Sequence, residues 1–126
     1  MTAPHRTDRT ALGLAALLTA SGTLHLVDPH RFDAAVPTWL PGSQLGWELA
    51  SGVAELGCAA LLAVPRTRRL GGYATAVLFA AVFPGNLDMA RRARSTRGRV
   101  LTLARLPLQV PLVRWAWRVG RDASGA

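Results

Sequence analysis

The stretch QLGWELASGVAELGCAALLAVPRTRRLGGYATAVLFAAVFPGNL, residues 44–87, decides the fold. It holds two apolar runs, 44–64 and 70–87, which are separated by the basic turn PRTRR at 65–69. A membrane-crossing helix needs about twenty mainly apolar residues, and so short a turn makes two such helices antiparallel neighbours. This stretch therefore predicts a transmembrane helical hairpin.

Apolar segments on both sides of the hairpin extend it to an all-α, antiparallel four-helix transmembrane bundle, a single domain over 1–126. The predicted helices cover about 10–28, 44–64, 70–90 and 99–119. Residues 29–43 contain three prolines together with Trp39, which predicts an interfacial loop between helices 1 and 2. A soluble bundle is the alternative, but it would leave helices 1 and 3 without a polar face for water.

The charge is concentrated between the apolar runs. The chain has a net charge of +8, and all 15 of its basic residues are arginines. Arginine clusters between apolar segments are typical of loops at a lipid headgroup surface, whereas a nucleic-acid module carries its basic residues over one face of a soluble fold. The lipid bilayer is therefore the expected partner and nucleic acid is not. Eight arginines fall on the side of the termini and six on the other, which favours an N-in/C-in orientation.

Antiparallel packing brings the intramembrane polar residues into one leaflet. At 1.5 Å per residue, His25 and Glu48 lie about 5 Å inside the boundary, Arg105 about 9 Å, and Glu55 about 15 Å. The predicted polar cluster consists of His25, Glu48, Ser51, Glu55, Asn86, Asp88, Arg105 and Gln109. Because an ionised carboxylate facing lipid costs several kcal/mol, Glu55 should face inward, with Arg105 as its expected partner and Glu48 as the second choice.

Three interpretations of this cluster stay open: a buried ion pair that fixes helix register, a ligand pocket or relay, and a surface that docks a partner. Gly52 continues the polar stripe of helix 2, while Pro84 and Pro107 interrupt helices 3 and 4. No metal-ligand spacing, catalytic triad, haem histidine pair or phosphate loop is present in the sequence, so neither a metal nor a catalytic residue is expected. The single cysteine, Cys58, is expected to be a small buried hydrophobic residue.

Four ordered motifs resemble the DoxX family of small bacterial membrane proteins. They are SGTLHLVDPHRF…VPTWLP (21–41), SGVAELGCAALLAVPRTRRLGGYA (51–74), FPGNLDMA (83–90) and RLPLQVPLVRWAW (105–117). The resemblance covers about residues 20–118 and implies a four-helix bundle in the bacterial cytoplasmic (inner) membrane. Some relatives are associated with membrane oxidoreductase complexes, including thiosulfate:quinone oxidoreductase. Pro37 is a further position that the resemblance marks, and Gly85 departs from the alanine that the family pattern implies.

The favoured function is that of a non-catalytic subunit or accessory factor, in the context of a membrane redox complex. One alternative is a quinone-binding oxidoreductase subunit, with the headgroup hydrogen-bonded by His25, Asn86 or Arg105. The other is a small transporter or channel in which Glu55 titrates, and four helices would then require a homo-oligomer to enclose a pathway.

Overall fold

The computed structural model describes residues 6–31 and 36–123, and every regular element in these ranges is helical. The order is α1 (Arg6–Val27), α2 (Gln44–Ala63), a short 3-10 turn (Pro65–Thr67), α3 (Arg68–Ala81), α4 (Phe83–Arg92) and α5 (Thr96–Ala123). Together α3 and α4 make up the third of the four predicted helices. The predicted all-α, four-helix architecture is therefore confirmed.

Three helical segments of the described chain are long and apolar enough to cross a membrane: Arg6–Val27, Gln44–Ala63 and Pro65–Arg92. They correspond to the first three predicted spans. The fourth helix, α5, is the longest, but it is not among these segments because arginines recur along it.

The helices pack in chain order, α1 on α2 and α2 on α3, and α5 lies against α3 and closes back on α1. Small residues allow the closest approach, between α3 and α5, where Gly72 faces Gly120 and a Cβ on Gly72 would lie 2.3 Å from the Gly120 backbone nitrogen. The apolar core occupies the end of the bundle that holds the start of α1. Its fully buried members include Leu14, Leu18, Leu62, Ala116 and Val119.

The basic turn between α2 and α3 contains a buried arginine. Arg68 is 5% exposed; its Nε donates to the Leu62 carbonyl at 2.8 Å, and its Nη2 donates to the Ala63 carbonyl at 3.2 Å. It also pairs with Asp8 in the first turn of α1. The last carbonyls of a helix lack intrahelical donors. Arg68 therefore supplies hydrogen-bond donors to the carbonyls at the end of α2, and its pairing with Asp8 joins this end to α1. The sequence alone indicates only that Arg68 is one of three arginines in the basic turn at 65–69.

The break between α3 and α4 falls at Val82, two residues before Pro84. Proline has no N–H, so the carbonyl four residues earlier loses its helical donor. The buried Gln109 of α5 donates from Nε2 to the neighbouring Phe79 carbonyl at 3.4 Å. The interruption expected from Pro84 is therefore present and is braced by α5.

The connection before α2 is partly packed and partly exposed. Val36 and Pro37 are buried, whereas Trp39 is 66% exposed. Trp47, in the first turn of α2, donates its indole N–H to the Pro41 carbonyl at 2.7 Å. Exposed Trp39 and Trp47 suit an interfacial loop; the part of the predicted loop at 32–35 lies outside the described residues.

Candidate functional site

The site is built where α1 and α2 cross closely at two glycines, Gly22 and Gly52, a contact that we call the glycine crossing. A Cβ built on Gly22 would lie 3.0 Å from the Gly52 carbonyl oxygen, and a Cβ on Gly52 would lie 3.0 Å from the Gly22 carbonyl oxygen. Each glycine follows a serine, Ser21 in α1 and Ser51 in α2. Small residues let two backbones approach closely, so the crossing draws together the polar residues one turn away on each helix.

His25 is one turn beyond Gly22, and Glu48 and Glu55 flank Gly52 on α2. The His25 Nδ1 atom lies 2.8 Å from Glu48 Oε2, within hydrogen-bonding distance. The other ring nitrogen, Nε2, lies 3.9 Å from Glu55 Oε1. One imidazole therefore stands between two carboxylates of the same helix. We call His25, Glu48 and Glu55 the histidine–carboxylate cluster.

The histidine–carboxylate cluster is largely shielded. The side chain of Glu48 is 1% exposed, that of His25 is 12% exposed and that of Glu55 is 13% exposed. Ser21 and Ser51, each half-buried and next to a glycine of the crossing, lie within about one turn of these residues on α1 and α2. The second carboxylate oxygen of Glu55, Oε2, is buried without a hydrogen-bond partner among the described residues, so this carboxylate retains acceptor capacity.

Chemically, the histidine–carboxylate cluster places both nitrogens of one imidazole next to carboxylate oxygens, at 2.8 Å from Glu48 and 3.9 Å from Glu55. Metal binding needs more ligands in a suitable arrangement, and within 6–31 and 36–123 no group of three or more histidine, cysteine or acidic side chains is placed to hold a metal ion. Cys58 is buried, as expected for a packed hydrophobic residue.

The remaining predicted site residues lie elsewhere. Asp88 pairs with Arg92 at 2.8 Å along α4, and Asn86, half-buried, is in the same helix. Gln109 is engaged at the helix break, and the side chain of Arg105 is exposed. The predicted single convergent cluster is therefore divided among α1–α2, α4 and α5.

The expected pairing of Glu55 with Arg105 is wrong: within the described residues no ion pair joins them, and Glu55 Oε1 instead lies 3.9 Å from His25 Nε2. The physical reason is the glycine crossing. It turns the stripe of Glu48, Gly52 and Glu55 toward α1, while α5 packs on α3, α4 and the start of α1.

Two features of the site region escaped the sequence reasoning. One is the packing role of Gly22. The Ser–Gly pair at 21–22 repeats at 51–52, and this repeat is the sequence feature that could have indicated it. The other is the pairing of Asp8 with Arg68, at the end of the bundle opposite the predicted polar cluster. No local signal distinguishes Arg68 from the exposed Arg66 and Arg69 beside it.

Fold and site together define an all-α helical bundle with three helices fit to cross a membrane and a shielded histidine–carboxylate cluster between the first two. The chain belongs to the family described as Domain of unknown function (DUF8561), whose model matches residues 14–120. No curated protein and no solved structure matches it.

The resemblance to the DoxX family is therefore wrong, since the family match is to DUF8561. The motifs that suggested DoxX consist of small residues, prolines and intramembrane polar residues. Close helix packing and helix breaks favour the same residue types in unrelated membrane bundles, so short motifs of this kind do not identify a family. The oxidoreductase associations that the resemblance implied lose their basis with it.

Proposed function

We propose that this chain is a four-helix integral membrane protein that acts as a non-catalytic subunit, docking another membrane protein along the first half of α5. All four helices are proposed to cross the bilayer. α5 must share the depth of the others because Gly120 faces Gly72 of α3, and the Trp115 indole N–H donates to the Thr10 carbonyl of α1 at 3.1 Å.

The observation that carries the proposal is the exposure of Arg105 on this helix. Gln109 lies opposite Phe79, near the end of α3, so the part of α5 before Gln109 extends beyond α3 and lies beside α4. There Leu101, Arg105 and Leu108, at spacings of four and three residues, are all exposed. We call these three residues the α5 stripe. A charged side chain at membrane depth is costly unless it is paired, and a partner helix would cover the α5 stripe and pair its arginine.

The partner should supply a carboxylate. The described carboxylates of this chain are all engaged or enclosed: Asp8 with Arg68, Asp28 with Arg31, Asp88 with Arg92, Asp122 with Arg121, and Glu48 and Glu55 with His25. A second copy would therefore offer Arg105 no carboxylate from the described part of the chain that is both exposed and unpaired. This favours a different protein with an acidic residue in its membrane segment.

The prolines of α5 leave backbone acceptors on another face of the same half of the helix. Pro107 lacks the N–H that would bond to the Leu103 carbonyl, and Pro111 lacks the one that would bond to the Pro107 carbonyl. Leu103 and Pro107 are exposed. Free carbonyls at membrane depth are tolerated where protein or water covers them, so these two acceptors also favour a first half of α5 that is covered in the membrane, although they lie away from the α5 stripe.

For location, we propose the cytoplasmic (inner) membrane of a bacterium, with both termini inside. The orientation follows from the excess of arginines at the end that carries the start of α1, the turn before α3 and the end of α5.

The test is site-specific photo-crosslinking in the native membrane. A photoreactive residue at Leu101 or Leu108 should capture one acidic membrane protein, and the same residue at exposed Val77 on α3 should not. Arg105→Gln should abolish capture, and Arg105→Lys should retain part of it because the charge remains. Capture of the chain itself, or equal capture at all three positions, would contradict the proposal.

A second candidate, a small proton-coupled transporter that works as a homo-oligomer, is favoured by the histidine between two carboxylates. It predicts proton flux in liposomes that contain the purified protein and loss of that flux in Glu55→Gln. Flux no greater than in empty liposomes would exclude it. A quinone is less well supported, since His25 is held by Glu48 and Arg105 is exposed.

A further inference from the structure

A cleft of about 590 Å³ lies between the start of α1 and the second half of α5. Four arginines and one acidic residue contribute to its lining: Arg6, Arg114, Arg118, Arg121 and Asp122. Arg121 pairs with Asp122 at 3.1 Å. In the described part of the chain, Arg6, Arg114 and Arg118 form no ion pair, so the cleft is positive. We call it the arginine cleft.

Spacing along α5 makes this concentration a property of the fold. Arg114, Arg118 and Arg121 recur at intervals of four and three residues, which is one face of a helix. Trp115, on the neighbouring face of α5, donates its indole N–H to the Thr10 carbonyl and so fixes α5 against α1. The packing of α5 on α1 therefore brings the three exposed arginines to the same cleft as Arg6, and an anion would relieve the repulsion between these like charges.

A second cavity indicates what the anion is attached to. An apolar groove of about 420 Å³ lies between α3–α4 and α5, lined by Phe79, Ala80, Phe83, Val110 and Val113 among others. Arg114 lines both this groove and the arginine cleft. On α5 the groove residues lie within 109–114 and the cleft residues within 111–122, so the groove reaches deeper along the helix. A charged cleft at the end of the helices that adjoins a deeper apolar groove at Arg114 has the layout of a phospholipid: headgroup first, acyl chain beyond it.

We propose that the arginine cleft binds the phosphate of an anionic phospholipid and that the apolar groove beyond Arg114 holds one of its acyl chains. Guanidinium groups match phosphate oxygens in geometry as well as in charge. Basic pockets between membrane helices on the cytoplasmic side bind anionic headgroups, and the arginine cleft is at the end proposed to face the cytoplasm. The site is independent of the α5 stripe, which is at the other end of α5.

Binding is measured by native mass spectrometry and thermal unfolding of the protein in mild detergent. The added compounds are phosphatidylglycerol, phosphatidylcholine and inorganic phosphate. Phosphatidylglycerol should remain bound and raise the unfolding temperature, while the other two have little effect. Equal stabilisation by inorganic phosphate would show that the cleft binds a soluble anion. Equal binding of phosphatidylcholine, which has no net charge, would show that the arginines do not select an anionic lipid. Either result overturns the proposal.

Variants locate the site. Arg114→Gln combined with Arg118→Gln should weaken phosphatidylglycerol binding about tenfold or more. The matched control, Arg91→Gln with Arg94→Gln, removes the same charge from exposed residues at the other end and should leave binding unchanged. Ala80→Trp should fill the groove and weaken binding without changing the charge. An equal loss in the control pair, or unaltered binding in Ala80→Trp, would contradict the proposed site.

Discussion

Gly22 and Gly52 meet face to face where α1 crosses α2, each placed so that a Cβ would lie 3.0 Å from the other's carbonyl oxygen. That contact sets the distance between the two helices and, one turn away, the distance between His25 and Glu48. The histidine–carboxylate cluster therefore depends on a contact that contains no polar side chain.

Gly52→Leu should disrupt this crossing. A larger side chain must push α1 away or distort its own rotamer, which costs about 1–3 kcal/mol of unfolding free energy. The measurement is equilibrium unfolding in mixed micelles, followed by circular dichroism. The control is Gly57→Ala, because a Cβ at Gly57 meets nothing within 4 Å; that variant should be neutral or slightly stabilised. Equal losses for both substitutions would show that the crossing is not a tight contact.

Coupling between His25 and Glu48 is testable with a double-mutant cycle. The 2.8 Å contact between a shielded histidine and a buried glutamate should give an interaction free energy of about 0.5–3 kcal/mol between His25→Ala and Glu48→Ala. The corresponding cycle for Glu55→Ala and Arg105→Ala should be additive, because these residues form no ion pair. Strong coupling in the second cycle and none in the first would contradict the geometry described above.

Arg68→Ala should destabilise the bundle, because Arg68 donates to two carbonyls at the end of α2 and pairs with Asp8. Leaving buried acceptors without a donor costs about 1–3 kcal/mol. Arg69→Ala removes the same charge from an exposed neighbour and should change the unfolding free energy by less than about 0.5 kcal/mol. Thermal unfolding of both variants in one detergent measures the difference; similar midpoints would contradict a structural role for Arg68.

The sequence predicts the helices because apolar run length and proline position are local properties. It also places His25 and Glu48 at one depth, since depth follows from a constant rise per residue. It does not predict which neighbour a polar stripe faces. That depends on helix rotation, which Gly22 and Gly52 fix for α1–α2, and which distant contacts such as Trp115 with Thr10 fix for α5. Arg105 is predicted inside only as the partner of Glu55, and a prediction of pairs within one chain does not take account of a partner protein.

Gln109 should hold the helix break in place more than it stabilises the whole bundle. Its Nε2 donates to the Phe79 carbonyl, but its Oε1 is buried without a hydrogen-bond partner among the described residues. In Gln109→Leu the lost hydrogen bond is thus offset by removal of an unsatisfied oxygen, and the unfolding free energy should change by less than about 1 kcal/mol. Locally, amides at 82–86 should exchange hydrogen faster, because the break loses its brace. Hydrogen exchange with mass spectrometry measures this, with Leu108→Ala as the exposed control on the adjacent position. Unchanged exchange at 82–86 would mean that Pro84 alone sets the break and that α5 does not brace it.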